Sequence, residues 1–233
     1  MENRKNPVYI ICVLLCLAAL LSGCGRSLVI TTGFGRNEVF RLGKNRCRLA
    51  EVRVYLLDLQ KQNETLYGTA IWDSGDREEI QQAVKDQALA QITRVKALNR
   101  IGVSRNVMLS KDETDRAVNA EHEYYAALSE EEKKYIGLDE HNLQRMFQEY
   151  ALAEKTWRSL GDSAEEVFEE FYQNTQCDLN TKLWQKVSLK KQEGDPDAPG
   201  FAQCYRAMFP EEDREAEQTE EEKADGEQTE EGQ

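Results

Sequence analysis

The fold class of this chain is decided by residues 49–67, which read Leu49-Ala-Glu-Val-Arg-Val-Tyr-Leu-Leu-Asp-Leu-Gln-Lys-Gln-Asn-Glu-Thr-Leu-Tyr67. Apolar side chains recur along this stretch every three or four residues, and only Asn63 interrupts them with a polar group. That spacing is typical of one face of an amphipathic α-helix. The residues of this face are Leu49, Val52, Tyr55, Leu56, Leu59, Leu66 and Tyr67. The stretch therefore predicts a helix that packs against other helices.

Five further helices are predicted between residues 76 and 189, each with its own start signal. The start signals are Asp76, Ser110 with Glu113, Ser129 with Glu132, Asp139, and Ser163 with Glu166. Each Ser-x-x-Glu pair is a capping box, in which each side chain accepts the other residue's backbone amide. Three of these helices are expected to end at Gly102, Gly137 and Gly161. No proline interrupts them, and the last helix is expected to run on to Leu189.

A short β-rich segment precedes the helices. Ser27-Leu-Val-Ile-Thr-Thr32 is rich in β-branched residues, Gly33-Phe-Gly35 is a turn signal, and Glu38-Val-Phe-Arg-Leu42 is a second alternating run. Two such runs joined by a glycine-containing turn predict a β-hairpin. The glycines do not form a phosphate-binding loop, because the sequence lacks the third glycine, the lysine and the following helix. We therefore expect a mainly α protein with a small N-terminal β-hairpin.

The first residues of the chain have the features of a bacterial lipoprotein signal peptide. Arg4 and Lys5 precede an apolar stretch from Val8 to Leu21, which is shorter than the ~20 residues of a bilayer span but typical of a signal-peptide core. The next residues resemble a lipobox: Leu21, Ser22, Gly23 and Cys24. We expect residues 1–23 to be removed and Cys24 to receive diacylglycerol, which would hold the protein at the extracytoplasmic face of the cell membrane. The alternative is an uncleaved N-terminal anchor helix.

The charge of the chain is concentrated at its C-terminal end. The formal net charge is −13, and residues 211–233 contribute −10 of it, with 12 acidic residues against Arg214 and Lys223. The remaining −3 gives no basic surface for a nucleic acid partner. Acidic, low-complexity sequence without aromatic residues cannot bury enough apolar surface to fold. We therefore divide the chain into a signal peptide (1–23), a folded domain (24–189) and a disordered acidic tail (190–233) with a short amphipathic island at residues 201–209.

Few residues have the spacing that catalysis or metal binding requires. His122 and His141 each lie among glutamates on a predicted exposed helix face, without a second His or Cys at ligand spacing. The acidic group of Asp112, Glu113 and Asp115 falls in a first helical turn, where negative charge offsets the helix dipole. Three cysteines remain in the mature chain besides Cys24: Cys47, Cys177 and Cys204. They allow at most one internal disulfide, such as one between Cys177 and Cys204. We therefore expect no metal, no cofactor and no catalytic residues.

Four stretches of the chain resemble one known family. They are Val29-Ile-Thr-Thr-Gly-Phe-Gly-Arg-Asn-Glu-Val-Phe-Arg-Leu42, Leu49-Ala-Glu-Val-Arg-Val-Tyr55, Leu128-Ser-Glu-Glu-Glu-Lys-Lys-Tyr-Ile-Gly137 and Tyr150-Ala-Leu-Ala-Glu-Lys155. Together with the lipobox they resemble the extracytoplasmic foldase lipoproteins of Firmicutes, which are similar to the SurA and PrsA group of peptidylprolyl isomerase chaperones. The resemblance covers most of Val29 to Trp157. It implies a helical peptide-binding domain like those of SurA and trigger factor, closed by a long C-terminal helix.

The resemblance is interrupted where the family carries its parvulin-type isomerase domain. At that position this chain has only Leu160-Gly-Asp-Ser163, and the stretch from Phe168 to Leu189 resembles the family's closing helix. The chain has no Gly-Gly-Asp-Leu-Gly-like segment and no paired parvulin histidines. No catalytic residue is therefore carried over from the family.

The leading hypothesis is a membrane-anchored, chaperone-like lipoprotein that binds unfolded secreted polypeptides without an isomerase domain of its own. Clefts with apolar walls between helix layers accommodate varied sequences. The candidate client-binding residues are Val52, Leu56, Tyr124, Tyr125, Met146 and Phe147. The sequence does not show which of them lie in the core and which line a cleft. Two alternatives are a peptidylprolyl isomerase and a scaffold for one dedicated partner. The island Phe201–Phe209 either caps the helical bundle or lies in the client cleft as an internal competitor.

Overall fold

The computed structural model describes residues 33–73, 75–190 and 198–209. Over these residues the chain forms a small antiparallel sheet and a set of packed helices, which confirms the predicted mainly α fold with a small N-terminal β-hairpin. The order is β1 (Glu38–Leu42), β2 (Asn45–Arg48), α1 (Leu49–Tyr67), α2 (Arg77–Ser104), α3 (Lys111–Ala127), α4 (Glu130–Ile136), α5 (Glu140–Leu160), α6 (Ala164–Asn174), β3 (Cys177–Leu179), α7 (Thr181–Trp184) and α8 (Phe201–Met208). Short 3₁₀ turns follow α1 and α5, at Thr69–Asp73 and Gly161–Ser163.

Several predictions concern residues outside this description. The signal peptide (1–23), the lipidation site Cys24, the strand at residues 27–32 and the acidic sequence at 210–233 all lie there and stay predictions. Within the described ranges, no helix combines the length and the apolar character that a membrane crossing needs.

The sheet differs from the predicted hairpin. Its strand order is β2-β1-β3, and both neighbours run antiparallel to β1. The chain turns from β1 into β2 at Gly43, whose φ of +58° is a left-handed conformation that glycine adopts without a Cβ clash. Both neighbours of β1 are therefore described residues, and the hairpin in the described part of the chain is formed by β1 and β2. The predicted pairing of β1 with residues 27–32 concerns residues outside the description.

The starts of α3, α4 and α5 follow the capping signals of the sequence. The hydroxyls of Ser110 and Ser129 accept the amides of Glu113 and Glu132 at 3.1 and 3.2 Å, and the two glutamates accept the serine amides in return. The carboxylate of Asp139 accepts the amide of Asn142 at 2.8 Å. These bonds satisfy amides that have no partner within the helix itself. Local sequence therefore determines where these three helices begin.

The prediction that Gly102 ends its helix is wrong, because α2 continues to Ser104. Gly102 lies where α2 packs closely on α5: a Cβ at this position would lie 2.2 Å from Thr156 Oγ1. The glycine is therefore needed for close helix packing. The turn follows the end of α2 at Ser104, with Asn106 in a left-handed conformation.

The long closing helix expected between Ser163 and Leu189 does not form as one piece. The Ser163 hydroxyl donates to the carbonyl of Leu160 at 2.7 Å and does not cap α6, which ends at Asn174. The chain then adds β3 to the second edge of β1, and the Asn180 side-chain amide donates to the carbonyl of Glu38 at 3.0 Å. Pairing with a distant strand thus outweighs the helical periodicity of this segment.

Candidate functional site

α8 lies in a groove formed by three helices of the body. It packs along α3 and also contacts α1, and its aromatic rings contact rings of α5. We define the aromatic groove by four side chains on these helices: Tyr55 of α1, Tyr124 of α3, and Phe147 and Tyr150 of α5. The walls of the groove therefore come from three segments that are far apart in sequence.

Phe201, the first residue of α8, occupies the centre of the aromatic groove. Its ring centroid lies 4.3 Å from that of Phe147, 5.4 Å from Tyr150, 5.5 Å from Tyr55 and 6.0 Å from Tyr124. The rings are tilted or T-shaped, and Phe201 is fully buried. Such pairs contribute about 0.5–1.5 kcal/mol each beyond the burial of their area. Phe201 is therefore the main anchor of α8.

The remaining contacts of α8 follow at helical spacing. The ring of Tyr205 lies 4.7 Å from that of Tyr150, and Phe209 stacks on Tyr205 at 4.5 Å. The Arg116 guanidinium of α3 lies 4.8 Å above the Phe209 ring. The opposite side of the helix is exposed, at Gln203, Arg206 and Ala207. α8 is thus an amphipathic helix, and together with the residue that follows it α8 presents aromatic residues at positions i, i+4 and i+8 to the body.

A buried carboxyl group lies beneath the start of α8. Asp58 of α1 is 3% exposed and accepts a hydrogen bond from the side-chain amide of Gln62 at 2.9 Å. Gly200, which precedes α8, comes so close that a Cβ would lie 2.1 Å from Asp58 Oδ1. Burial raises the pKa of Asp58 to about 6, although the Ala202 amide and the Arg206 cation favour the carboxylate. Docking of α8 therefore removes an ionisable group from water.

Two of the six candidate client-binding residues belong to the aromatic groove. The rings of Tyr124 and Phe147 lie 5.8 Å apart and both contact Phe201. Tyr125 is half-buried, and Lys133 lies 4.7 Å above its ring. The other three candidates are buried in the hydrophobic core: Val52, Leu56 and Met146. With α8 in place, five of the six are shielded from solvent, so a client would reach Tyr124 and Phe147 only after α8 had left.

Periodicity alone does not separate groove residues from core residues. Tyr55 and Tyr150 have the same helical spacing as their neighbours, and nothing in the sequence assigns them to a groove. Asp58 lies between Leu57 and Leu59 but off the apolar face predicted for α1. A buried carboxyl group needs a polar partner or a perturbed pKa. The sequence alone does not show that Asp58 lies beneath the start of α8.

Two buried lysines hold the helices around the groove. Lys96 Nζ of α2 lies 2.7 Å from Glu51 Oε2 of α1 and also forms an ion pair with Glu149 of α5. Lys61 Nζ of α1 lies 3.1 Å from Glu132 Oε1 of α4. Removing one partner of a buried pair leaves an uncompensated charge, which is strongly destabilising. The arrangement of α1, α2, α4 and α5 is therefore fixed by contacts that do not involve α8.

A second depression lies between the sheet and the N-terminal ends of α1 and α5. This cavity of about 460 Å³ is lined by five arginines: Arg36, Arg46, Arg48, Arg53 and Arg145. Three acidic residues also line it: Glu38, Glu51 and Asp139. A hydrogen bond from Arg41 holds the pKa of Glu38 below its ordinary value. Arginines outnumber acidic residues in this lining, so the depression differs in character from the aromatic groove. Large apolar side chains are exposed at the ends of α1 and α2 and in the turn before α3: Leu66, Tyr67, Val103 and Met108.

The histidines and cysteines are not assembled into a reactive centre. His122 and His141 are exposed, and within the described ranges no group of three or more His, Cys, Asp or Glu residues is placed to hold a metal ion. The three described cysteines are buried thiols, so the suggested disulfide between Cys177 and Cys204 is not formed. Burial raises the pKa of Cys204 to about 11, which keeps this thiol protonated and weakly nucleophilic at neutral pH.

No protein-family model, no curated protein and no solved structure matches this chain. The fold and the groove define it as a helical scaffold that holds an amphipathic aromatic helix from its own C-terminal part.

Proposed function

We propose that this chain is a lipid-anchored extracytoplasmic protein that holds segments of unfolded secreted polypeptides, in the manner of a chaperone without an isomerase domain. The observation that carries the proposal is the seating of α8 in the aromatic groove, with Phe201 fully buried among four rings. The resemblance of residues 29–157 to extracytoplasmic foldase lipoproteins and the lipobox before Cys24 support the location and the class of partner.

The groove suits unfolded polypeptides for a physical reason. An amphipathic helix that lays its apolar face into a groove is a recurring mode of peptide recognition, read through anchors one helical turn apart. Unfolded secreted proteins expose such segments, because their aromatic residues are not yet buried in a core. In this chain α5 leads to α6 through the three-residue turn Gly161–Ser163, at the position where the resembled family carries its isomerase domain.

Suppression of aggregation tests the holding function. Residues 24–233, produced with Cys24→Ser, retain every described residue and are mixed with a reduced, unfolded secretory protein while light scattering is followed. We expect suppression at near-stoichiometric ratios, either by this chain or by its Phe201→Ala/Tyr205→Ala variant, in which α8 has lost its anchors. An Arg36→Ala variant, changed in the arginine-lined depression, should behave like the parent. The proposal fails if all three proteins are folded and helical by circular dichroism and none reduces the scattering.

Metabolic labelling tests the lipid anchor separately. The full chain is expressed in a bacterium supplied with a clickable fatty-acid analogue, and a Cys24→Ser variant serves as the control. We expect the parent chain to carry the label and to sediment with membranes, and the variant to lose the label. Equal labelling of both chains, or labelling of neither, would contradict lipidation at Cys24.

A second candidate function is a scaffold for one dedicated partner. The close fit of α8 favours it, since Gly200 leaves no room for a side chain above Asp58 and Phe201 fills the centre of the groove. So specific a site suits one sequence better than many. Affinity purification of the lipidated chain from membranes separates the two functions: one stoichiometric protein indicates a dedicated partner, and many secreted proteins in unfolded form indicate a holding factor.

A further inference from the structure

We propose that α8 is a resident competitor for the aromatic groove, and that the external segments accepted there are amphipathic helices with aromatic residues at i, i+4 and i+8. This inference rests on the proposed polypeptide-binding function and names both its substrate class and its regulation. It assigns residues 198–209 a role beyond completing the fold.

The body has a framework of contacts that does not depend on α8. α2 packs on α1 and on α5, and α3 packs on α5. Ion pairs join the same helices: Lys96 with Glu51 and Glu149, and Lys155 of α5 with Glu113 of α3 at 3.0 Å. None of these contacts involves a residue of α8. A groove that persists without its occupant is the first requirement for exchange of one helix for another.

Two buried polar groups lie in the region where α8 packs on the body. Asp58 is buried beneath Gly200. The hydroxyl of Tyr124, a wall of the groove, is buried without a hydrogen-bond partner among the described residues. Burying polar groups without full hydrogen bonding opposes docking. These costs partly offset the favourable ring contacts of Phe201.

The sequence of α8 defines what a competing segment needs. Its aromatic anchors are Phe201, Tyr205 and Phe209, and the glycine before the first anchor is required because a Cβ there would meet Asp58. Arg206 is exposed, and it lines the same small depression as Asp58. The preferred external segment is thus a glycine followed by aromatic residues at i, i+4 and i+8, with a basic residue at i+5.

Peptide binding in trans tests this inference. The probe is a fluorescent peptide with the sequence of residues 198–209 and serine in place of Cys204, and its anisotropy is followed with the chain of residues 24–233 carrying Cys24→Ser. We expect the Phe201→Ala/Tyr205→Ala variant of the chain to bind the probe at least ten-fold more tightly than the parent. A Gln203→Ala/Ala207→Ser variant, changed on the exposed side of α8, should bind like the parent. A probe with its aromatic residues moved to adjacent positions should not bind.

Two outcomes overturn the inference. Equal affinity of the parent and the Phe201→Ala/Tyr205→Ala variant would show that α8 does not compete, and absence of binding to every folded protein would refute the segment class. If the variant fails to fold, hydrogen exchange of the parent decides instead, because excess probe should accelerate exchange at residues 201–208 and leave α2 unchanged; no acceleration overturns competition. Aggregation suppressed equally by parent and variant would refute competition alone, whereas suppression by neither refutes the proposed function.

Discussion

Replacement of Asp58 by asparagine should remove one pH dependence from the stability of this protein. Asp58 is 3% exposed, and burial between α1 and the start of α8 raises its pKa from the ordinary value of 3.8 to about 6. In the unfolded chain the carboxyl group is hydrated and titrates near its ordinary value. Between these two values the folded protein therefore binds a proton that the unfolded chain has released.

The sign and the size of the effect follow from this difference. The stabilisation from the bound proton is fully present below the unfolded pKa and is lost as the pH rises through the folded pKa. A difference of about 2 units corresponds to about 3 kcal/mol, at about 1.4 kcal/mol per unit. Asparagine has a similar shape and does not ionise. The free energy of unfolding of Asp58→Asn should therefore equal that of the parent in acid. At neutral pH it should be higher than that of the parent by up to about 3 kcal/mol.

Urea unfolding of the parent and of Asp58→Asn at several pH values between about 4 and about 8 measures the effect as a difference between two profiles. The difference cancels the titration of all other carboxyl groups. Asp162→Asn, a change of an exposed aspartate in the turn after α5, is the matched control and should run parallel to the parent. Parallel profiles for the parent and Asp58→Asn would refute the conclusion that burial under α8 penalises the carboxylate.

Three further changes test contacts of the body. Lys96→Met should lower the free energy of urea unfolding by about 3–5 kcal/mol, because Glu51 stays buried without its cation; adding Glu51→Gln should recover part of this loss, and no recovery would argue against an uncompensated charge. Gly102→Ala should cost about 1–3 kcal/mol through overlap with Thr156, and a Gly102→Ala/Thr156→Ala chain no more stable than the single variant would contradict that origin. Ser129→Ala should cost about 1 kcal/mol in thermal unfolding, since α4 loses its cap, and an unchanged melting temperature would exclude the cap as a source of stability.

The helical part of the fold could be predicted from sequence because its signals are local. Ser110, Ser129 and Asp139 lie within three residues of the amides they cap, and α1 carries its apolar face within 19 residues. The sheet could not be predicted in the same way. β3 pairs with β1 across more than a hundred residues. No local sequence pattern at residues 174–180 identifies β1 as the strand with which they pair.

The candidate site was predictable only in part for a related reason. Aromatic periodicity identifies Tyr124 and Phe147 as apolar positions, and amphipathicity identifies residues 201–209 as a helix. Which face of the body receives that helix depends on the relative placement of α1, α3 and α5, which is a tertiary property.

The central place of β1 in the sheet has a consequence for the time course of folding. β1 lies near the start of the described chain, but its second neighbour, β3, follows only at Cys177–Leu179. If the chain is exported N-terminus first, as the lipoprotein proposal requires, one edge of β1 stays unpaired until those residues have crossed the membrane. An open strand edge is a template for pairing with other chains. Under that proposal, the chain could pair with other chains through this edge between the emergence of β1 and the arrival of β3.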